Sequence, residues 1–139
     1  MDATTNAAHE MTLTVRGYHL DLYGHVNNAR YLEFLEEARW AWFEQRADLS
    51  SLLGAGTAMV MVRLEIDYRH PAGIGERLII ASRMGEIRTR SAVIHQEIRL
   101  AESDKPVADA DITVVYVDQG TGRALPIEGR LREFLDVLS

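Results

Sequence analysis

The chain predicts an α+β fold: one antiparallel sheet of about five strands wrapped around a long central helix, with a short helix at the C-terminus. Three observations carry this. A first period-two stretch is followed by a long apolar stretch free of proline and glycine, and then by four further period-two runs separated by turn residues. A sheet with one apolar face and a helix this hydrophobic must cover each other to exclude water.

Taken in order, residues 11–20 set Met11, Leu13 and Val15 against Thr12, Thr14 and Arg16, the alternation of a half-buried strand. Residues 1–10 are small and polar and read as a flexible tail, so the domain is expected to span 11–139. From Ala29 to about Arg46 the apolar residues Tyr31, Phe34, Leu35, Ala38 and Trp42 recur at helical spacing, with Asn27 or Asn28 as the N-cap. Leu32, Trp40 and Phe43 add apolar side chains on neighbouring faces, so this helix needs cover on more than one side.

The four later runs are 58–69, 76–86, 91–101 and about 107–118. The first places Val60, Val62, Leu64, Ile66 and Tyr68 on one face, with Arg63, Glu65, Asp67 and Arg69 on the other. The third alternates Ala92, Ile94, Gln96, Ile98 and Leu100 with Val93, His95, Glu97 and Arg99, and the fourth puts Ala108, Ala110, Ile112, Val114 and Tyr116 together. Gln119 to Gly122 form a turn, and Leu131, Leu135 and Leu138 mark a helix near 128–138.

Composition narrows the function. A chain of 139 residues with 47% hydrophobic and 26% charged residues suits a single globular domain. No run of apolar residues is long enough to span a bilayer and no charged-then-apolar leader is present, so a cytoplasmic protein without membrane insertion is expected. The absence of cysteine removes disulfides, thiolate ligands and a cysteine nucleophile. A net charge of −6 argues against nucleic-acid binding, which needs a basic face. His9, His19, His25, His70 and His95 lack zinc-site spacing, and no dinucleotide or phosphate-loop glycine motif occurs, so neither metal nor cofactor is expected.

The chemistry concentrates at the first strand-to-helix junction. Asp21-Leu22-Tyr23-Gly24-His25-Val26-Asn27-Asn28-Ala29-Arg30-Tyr31 ends a strand with a carboxylate and opens a helix whose first N–H groups have no intrahelical partner. A carboxylate beside such donors can attack a carbonyl, or activate water, while the N–H groups hold the developing oxyanion. Gly24 lets the chain turn closely, His25 can orient water or protonate a leaving group, and Asn27 and Asn28 cap and fix the loop. Read alone, an Asp-x-x-Gly stretch is an ordinary turn. Glu36, three residues from Arg39, reads as a structural acid.

That eleven-residue stretch resembles the active-site signature of the hotdog-fold thioesterases of the 4-hydroxybenzoyl-CoA type. The longer run from Arg16 to Trp40 is more similar still to the bacterial long-chain acyl-CoA thioesterases of the FadM (YbaW) type, and Tyr68-Arg69-His70-Pro71 resembles their Tyr-Arg-x-Pro segment. The resemblance implies a hotdog fold, hydrolysis of medium-to-long-chain acyl-CoA, Asp21 as the catalytic carboxylate, and a site completed between subunits of a dimer or tetramer. The arginines Arg69, Arg88 and Arg90, with Ser91, are the candidates for the coenzyme A phosphates. Tyr31, Phe34, Leu35, Val60 and Val62 are candidates for the acyl pocket, or else core. The rival readings are an acyl-carrier-protein thioesterase and a non-catalytic acyl-CoA binder.

Overall fold

The computed structural model describes residues 8–45 and 56–138. Strand β1 (His9–Thr14) leads through a single 3-10 turn (Gly17–His19) into helix α1 (Asn28–Glu44). Then follow β2 (Thr57–Tyr68), β3 (Arg77–Ile87), β4 (Ala92–Leu100), β5 (Pro106–Asp118), a two-residue β6 (Ala124–Leu125) and helix α2 (Gly129–Leu138). The strands form one antiparallel six-stranded sheet in the order β1-β3-β4-β5-β2, with β6 paired to β5. Residues 1–7 of the expected tail lie outside the described residues, while His9 and Glu10, assigned to that tail, belong to β1.

Register explains the core. Leu78 pairs with Leu100, Ile80 with Ile98, Ser82 with Gln96 and Met84 with Ile94; on the next strand Ile94 pairs with Ile112 and Ile98 with Ala108. All of these are buried on the face that holds α1, which answers with Tyr31, Phe34, Leu35, Ala38, Trp42 and Phe43. The period-two reading of β4 and β5 is therefore the observed one. Each large apolar side chain so buried contributes about 1.5–3 kcal/mol relative to exposure, and α1 is held by that packing more than by propensity. On α2, Leu131, Phe134, Leu135 and Leu138 are buried, and the helix lies against β3.

Strand β2 departs from the expected pattern. A bulge between Met61 and Arg63 shifts the register, so Met59 and Met61 join Leu64, Ile66 and Tyr68 in pairing with inward residues of β5. Val60 pairs with Val115 on the other face, and Val62 sits in the bulge. Both valines are exposed. β2 is also a sheet edge, 12 residues long, that leaves Val60, Met61 and Val62 facing solvent. Among the described residues no helix is long and apolar enough to cross a membrane.

Candidate active site

Asp21 lies in a five-residue loop that folds back on itself. Its N–H donates to the carbonyl of His25 at 2.8 Å, Gly24 N–H donates to the carbonyl of Asp21 at 3.2 Å, and Leu20 bridges Val26. Gly24 has φ 78°, the left-handed region that side chains avoid, which is why glycine closes this loop. The Asp21 side chain is exposed, and its Oδ1 accepts from Tyr23 N–H at 2.8 Å and His25 N–H at 3.2 Å. One oxygen is thus spent on the turn, as an ordinary Asx turn would spend it. The other, Oδ2, accepts no hydrogen bond among the described residues.

The loop is seated by its neighbours. His25 bridges Gly73, and Val26 N–H donates to the carbonyl of Ala72 at 2.9 Å. Gly73 N–H donates to Glu76 Oε1 at 2.7 Å, and Ala72 N–H to the Tyr31 hydroxyl at 3.3 Å. Before the loop, His19 is buried, accepts from Arg16 N–H through Nδ1 at 2.9 Å, and meets Phe34 edge-on. Burial holds the His19 pKa below its usual value, with Arg30 and Arg16 acting in the same direction and Glu33 opposing. A neutral ring is what that contact requires, since a protonated Nδ1 could not accept. The motif's sequence signals did not assign roles to His19, Tyr68 or Glu76; the glycine-rich turn before Glu76 was the available hint for the last.

The start of α1 faces the same loop. Asn27 is the N-cap, with Oδ1 accepting from Ala29 N–H at 2.9 Å, and its carbonyl accepts from Arg30 N–H at 2.8 Å. Asn28 N–H finds no acceptor among the described residues. The Tyr68 hydroxyl donates to the carbonyl of Asn28 at 3.1 Å and so ties β2 to the first turn of α1. An unpaired N–H at the positive end of a 17-residue helix is suited to an oxygen that gains negative charge.

Other expected site residues are distributed differently. Tyr31, Phe34 and Leu35 are buried at 3%, 4% and 1% exposure, and so fill the core. The open apolar groove lies further along α1, where Trp40 and Phe43 face Ala58, Met59, Met61 and Val114, with Glu36 and Arg39 in the same wall. Val60 is turned away from it by the bulge. Arg69 is on the Asp21 side of the sheet, but its guanidinium is held by Asp109 at 2.6 Å and Asp67 at 3.8 Å. Arg88, Arg90 and Ser91 sit at the β3–β4 turn, at the opposite end of the 11-residue β3, roughly 33 Å along the strand. Arg88 there bonds Glu86 at 2.9 Å. A single chain therefore does not bring those three residues to Asp21. Among the described residues no cluster of three or more His, Asp or Glu is arranged to hold a metal.

Comparison with known proteins identifies the family and the fold. Residues 15–135 match the model of the thioesterase-like superfamily. The chain is 46% identical over 124 residues to the long-chain acyl-CoA thioesterase FadM of Escherichia coli, covering 89% of this chain and 94% of that protein. The crystal structure of YbaW from Escherichia coli superposes with a TM-score of 0.88 at 44% identity, covering 93% of this chain and 97% of that one. A 1,4-dihydroxy-2-naphthoyl-CoA thioesterase from Synechocystis shares the fold, with a TM-score of 0.81 at 21% identity over 94% and 95% of the two chains. The six-stranded sheet curled on α1 is the hotdog fold, and this chain belongs to the thioesterase-like superfamily.

Proposed function

We propose that this protein is an acyl-CoA thioester hydrolase that cleaves medium-to-long-chain fatty acyl-CoA to the free acid and coenzyme A. The observation that carries the reading is the divided carboxylate of Asp21. Oδ1 is fixed by two backbone N–H groups, Oδ2 is open, and the unpaired N–H of Asn28 stands at the neighbouring helix end. The likeness to FadM, whose name specifies long-chain acyl-CoA, supports the substrate class.

In this reading the thioester carbonyl oxygen takes the Asn28 N–H, which stabilises the charge as it forms. Oδ2 of Asp21 then has two routes. As a base it takes a proton from water, the hydroxide adds to the carbonyl carbon, the C–S bond breaks, and the proton passes to the departing thiolate. As a nucleophile it forms an acyl anhydride with loss of the thiolate, and water then cleaves the anhydride. His25, exposed beside Asp21, is placed to orient the water or supply the proton to sulfur.

The edge of β2, whose outer side meets no further strand among the described residues and where Val60, Met61 and Val62 are exposed, supports a homo-oligomer, a dimer or tetramer, because such an edge is otherwise open to uncontrolled pairing. A partner subunit is also the only source that could bring Arg88, Arg90 and Ser91 towards a coenzyme A held at Asp21. The reading places the protein in the cytoplasm.

Thiol release from acyl-CoAs of short, long and aromatic acyl groups tests the activity, with an acyl-carrier-protein thioester alongside. Hydrolysis greatest on long acyl-CoA is expected. Hydrolysis of the carrier-protein thioester alone would replace the substrate class, and silence on every thioester from folded protein would leave a binding role. Light scattering at micromolar concentration should give at least a dimer; a monomer would end the shared-site account.

A further inference from the structure

The groove between the second half of α1 and the start of β2 is half open to solvent, has a volume of about 410 Å³ and is walled mainly by Trp40, Phe43, Met59 and Met61. Two charged side chains share that wall, Glu36 and Arg39. Arg39 is half-buried, and one N–H donates to Gln96 Oε1 at 3.0 Å. Among the described residues no carboxylate forms a salt bridge with it, although Glu36 is near enough to act on its charge. A partly dehydrated guanidinium with spare donors beside an apolar space costs free energy that a simple core residue would not.

Glu36 and Arg39 stand three apart on one helix face, an acceptor and a donor turned to the same groove. The group that satisfies both is a hydroxyl, which accepts from the guanidinium and donates to the carboxylate. A carboxylate would meet the charge of Glu36, a ketone would engage Arg39 but leave Glu36 to water alone, and a methyl group would engage neither. Along α1, Arg39 lies about 17 Å from Asn28 by the helical rise. A staggered chain advances about 1.25 Å per carbon, so that distance corresponds to about 12–14 carbons from the thioester.

We propose that this groove selects acyl thioesters that carry a hydroxyl at or near the far end of a chain of that length, with Arg39 donating to the hydroxyl and Glu36 accepting from it. The inference rests on the thioesterase reading and names a substrate class within it. The test compares kcat/KM for tetradecanoyl-CoA with its ω-hydroxy and ω-carboxy counterparts, in the wild type, Glu36→Leu and Arg39→Met. The binding of free ω-hydroxytetradecanoate and tetradecanoate is measured in parallel.

The wild type should favour the ω-hydroxy substrate by about tenfold over both others, the worth of one to two partly exposed hydrogen bonds. In Glu36→Leu and Arg39→Met that preference should fall to about twofold or less, while turnover of tetradecanoyl-CoA persists. Glu36 is exposed, so its variant keeps the test intact if loss of Arg39 disturbs Gln96. Equal rates on the plain and ω-hydroxy substrates, or a preference that survives both variants, would overturn the assignment. No thiol release but tighter binding of the ω-hydroxy acid would overturn the hydrolase reading and leave the groove assignment standing. No release and equal binding would overturn both.

Discussion

Two polar clusters flank helix α1, and they are built on opposite terms. At its N-terminus, Asp21 and Asn28 are exposed and each keeps capacity in reserve: a carboxylate oxygen on one, a backbone N–H on the other. Against the helix's buried face, Gln96 is 0% exposed and saturated. Its Nε2 donates to the carbonyl of Leu35 at 3.0 Å and to Ser82 Oγ at 2.9 Å, while Oε1 accepts from Arg39. Burial forces that completeness, because a polar group left unpaired in a dry core loses more than a hydrogen bond returns. Reserve capacity is tolerable only where water can fill it, and there a substrate can replace the water.

The sharpest separation of the two comes from Asn28→Pro. The residue before it, Asn27, has φ −61° and ψ 135°, the conformation that precedes proline, and proline is accepted at the first helical position. The variant should fold normally yet lose its oxyanion donor. We expect kcat to fall by about 10²–10³, about 3–4 kcal/mol, with an unchanged urea midpoint. Normal turnover would remove Asn28 N–H from the mechanism.

Gln96→Ala should do the reverse. It takes a second donor from the helical Leu35 carbonyl and removes the side-chain partner of buried Ser82 Oγ and of half-buried Arg39, at a cost of about 2–3 kcal/mol of stability, read as a lower urea midpoint at constant slope. The folded fraction should still turn over plain acyl-CoA. If stability were unaffected, the saturated network would not be a structural element.

Tyr68→Phe removes the donor to the Asn28 carbonyl and joins the two terms, since it loosens the first turn from β2. A loss of about 1 kcal/mol in stability is expected, with a small rise in KM. No change in either would mean that solvent replaces this hydroxyl without consequence.

The smallest effect expected is on pH. The His19 pKa is held below the 6.5 of the unfolded chain, so as pH falls below that value the unfolded state binds the proton first. The contribution of His19 is complete above about pH 6.5 and is lost as pH falls towards its lower folded value. Urea midpoints at about pH 7.5 and 5.5 should therefore diverge more for the wild type than for His19→Asn. Identical divergence would show that other groups govern the acid side.

Sequence patterns expose these regions unequally. The loop is contiguous, so its acid and glycine could be read from eleven positions, and residue chemistry narrowed the cap to Asn27 or Asn28, of which the structure uses Asn27, with the helix starting one residue before the expected Ala29. The alternation in β4 and β5 carried the register because those central strands have one apolar face each. In β2 the residues from Met59 to Val62 are all apolar, so a period-two pattern could not locate the bulge or say which pair faced inward. For the same reason Tyr31, Phe34 and Leu35, periodic and apolar, could not be told from pocket lining before their burial was seen. The Arg39–Gln96 bond spans 57 residues of chain, and no local signal reports it.

The central claim is that the open oxygen of Asp21 carries the hydrolysis. Its most direct test is thiol release from a long-chain acyl-CoA by Asp21→Asn beside the wild type, with both shown folded by their urea midpoints. The amide oxygen can keep the two backbone hydrogen bonds while the anionic Oδ2 is lost. The account predicts a fall of about 10³-fold or more in kcat/KM with stability retained. Activity within a few-fold of the wild type would contradict it and move the catalytic carboxylate elsewhere.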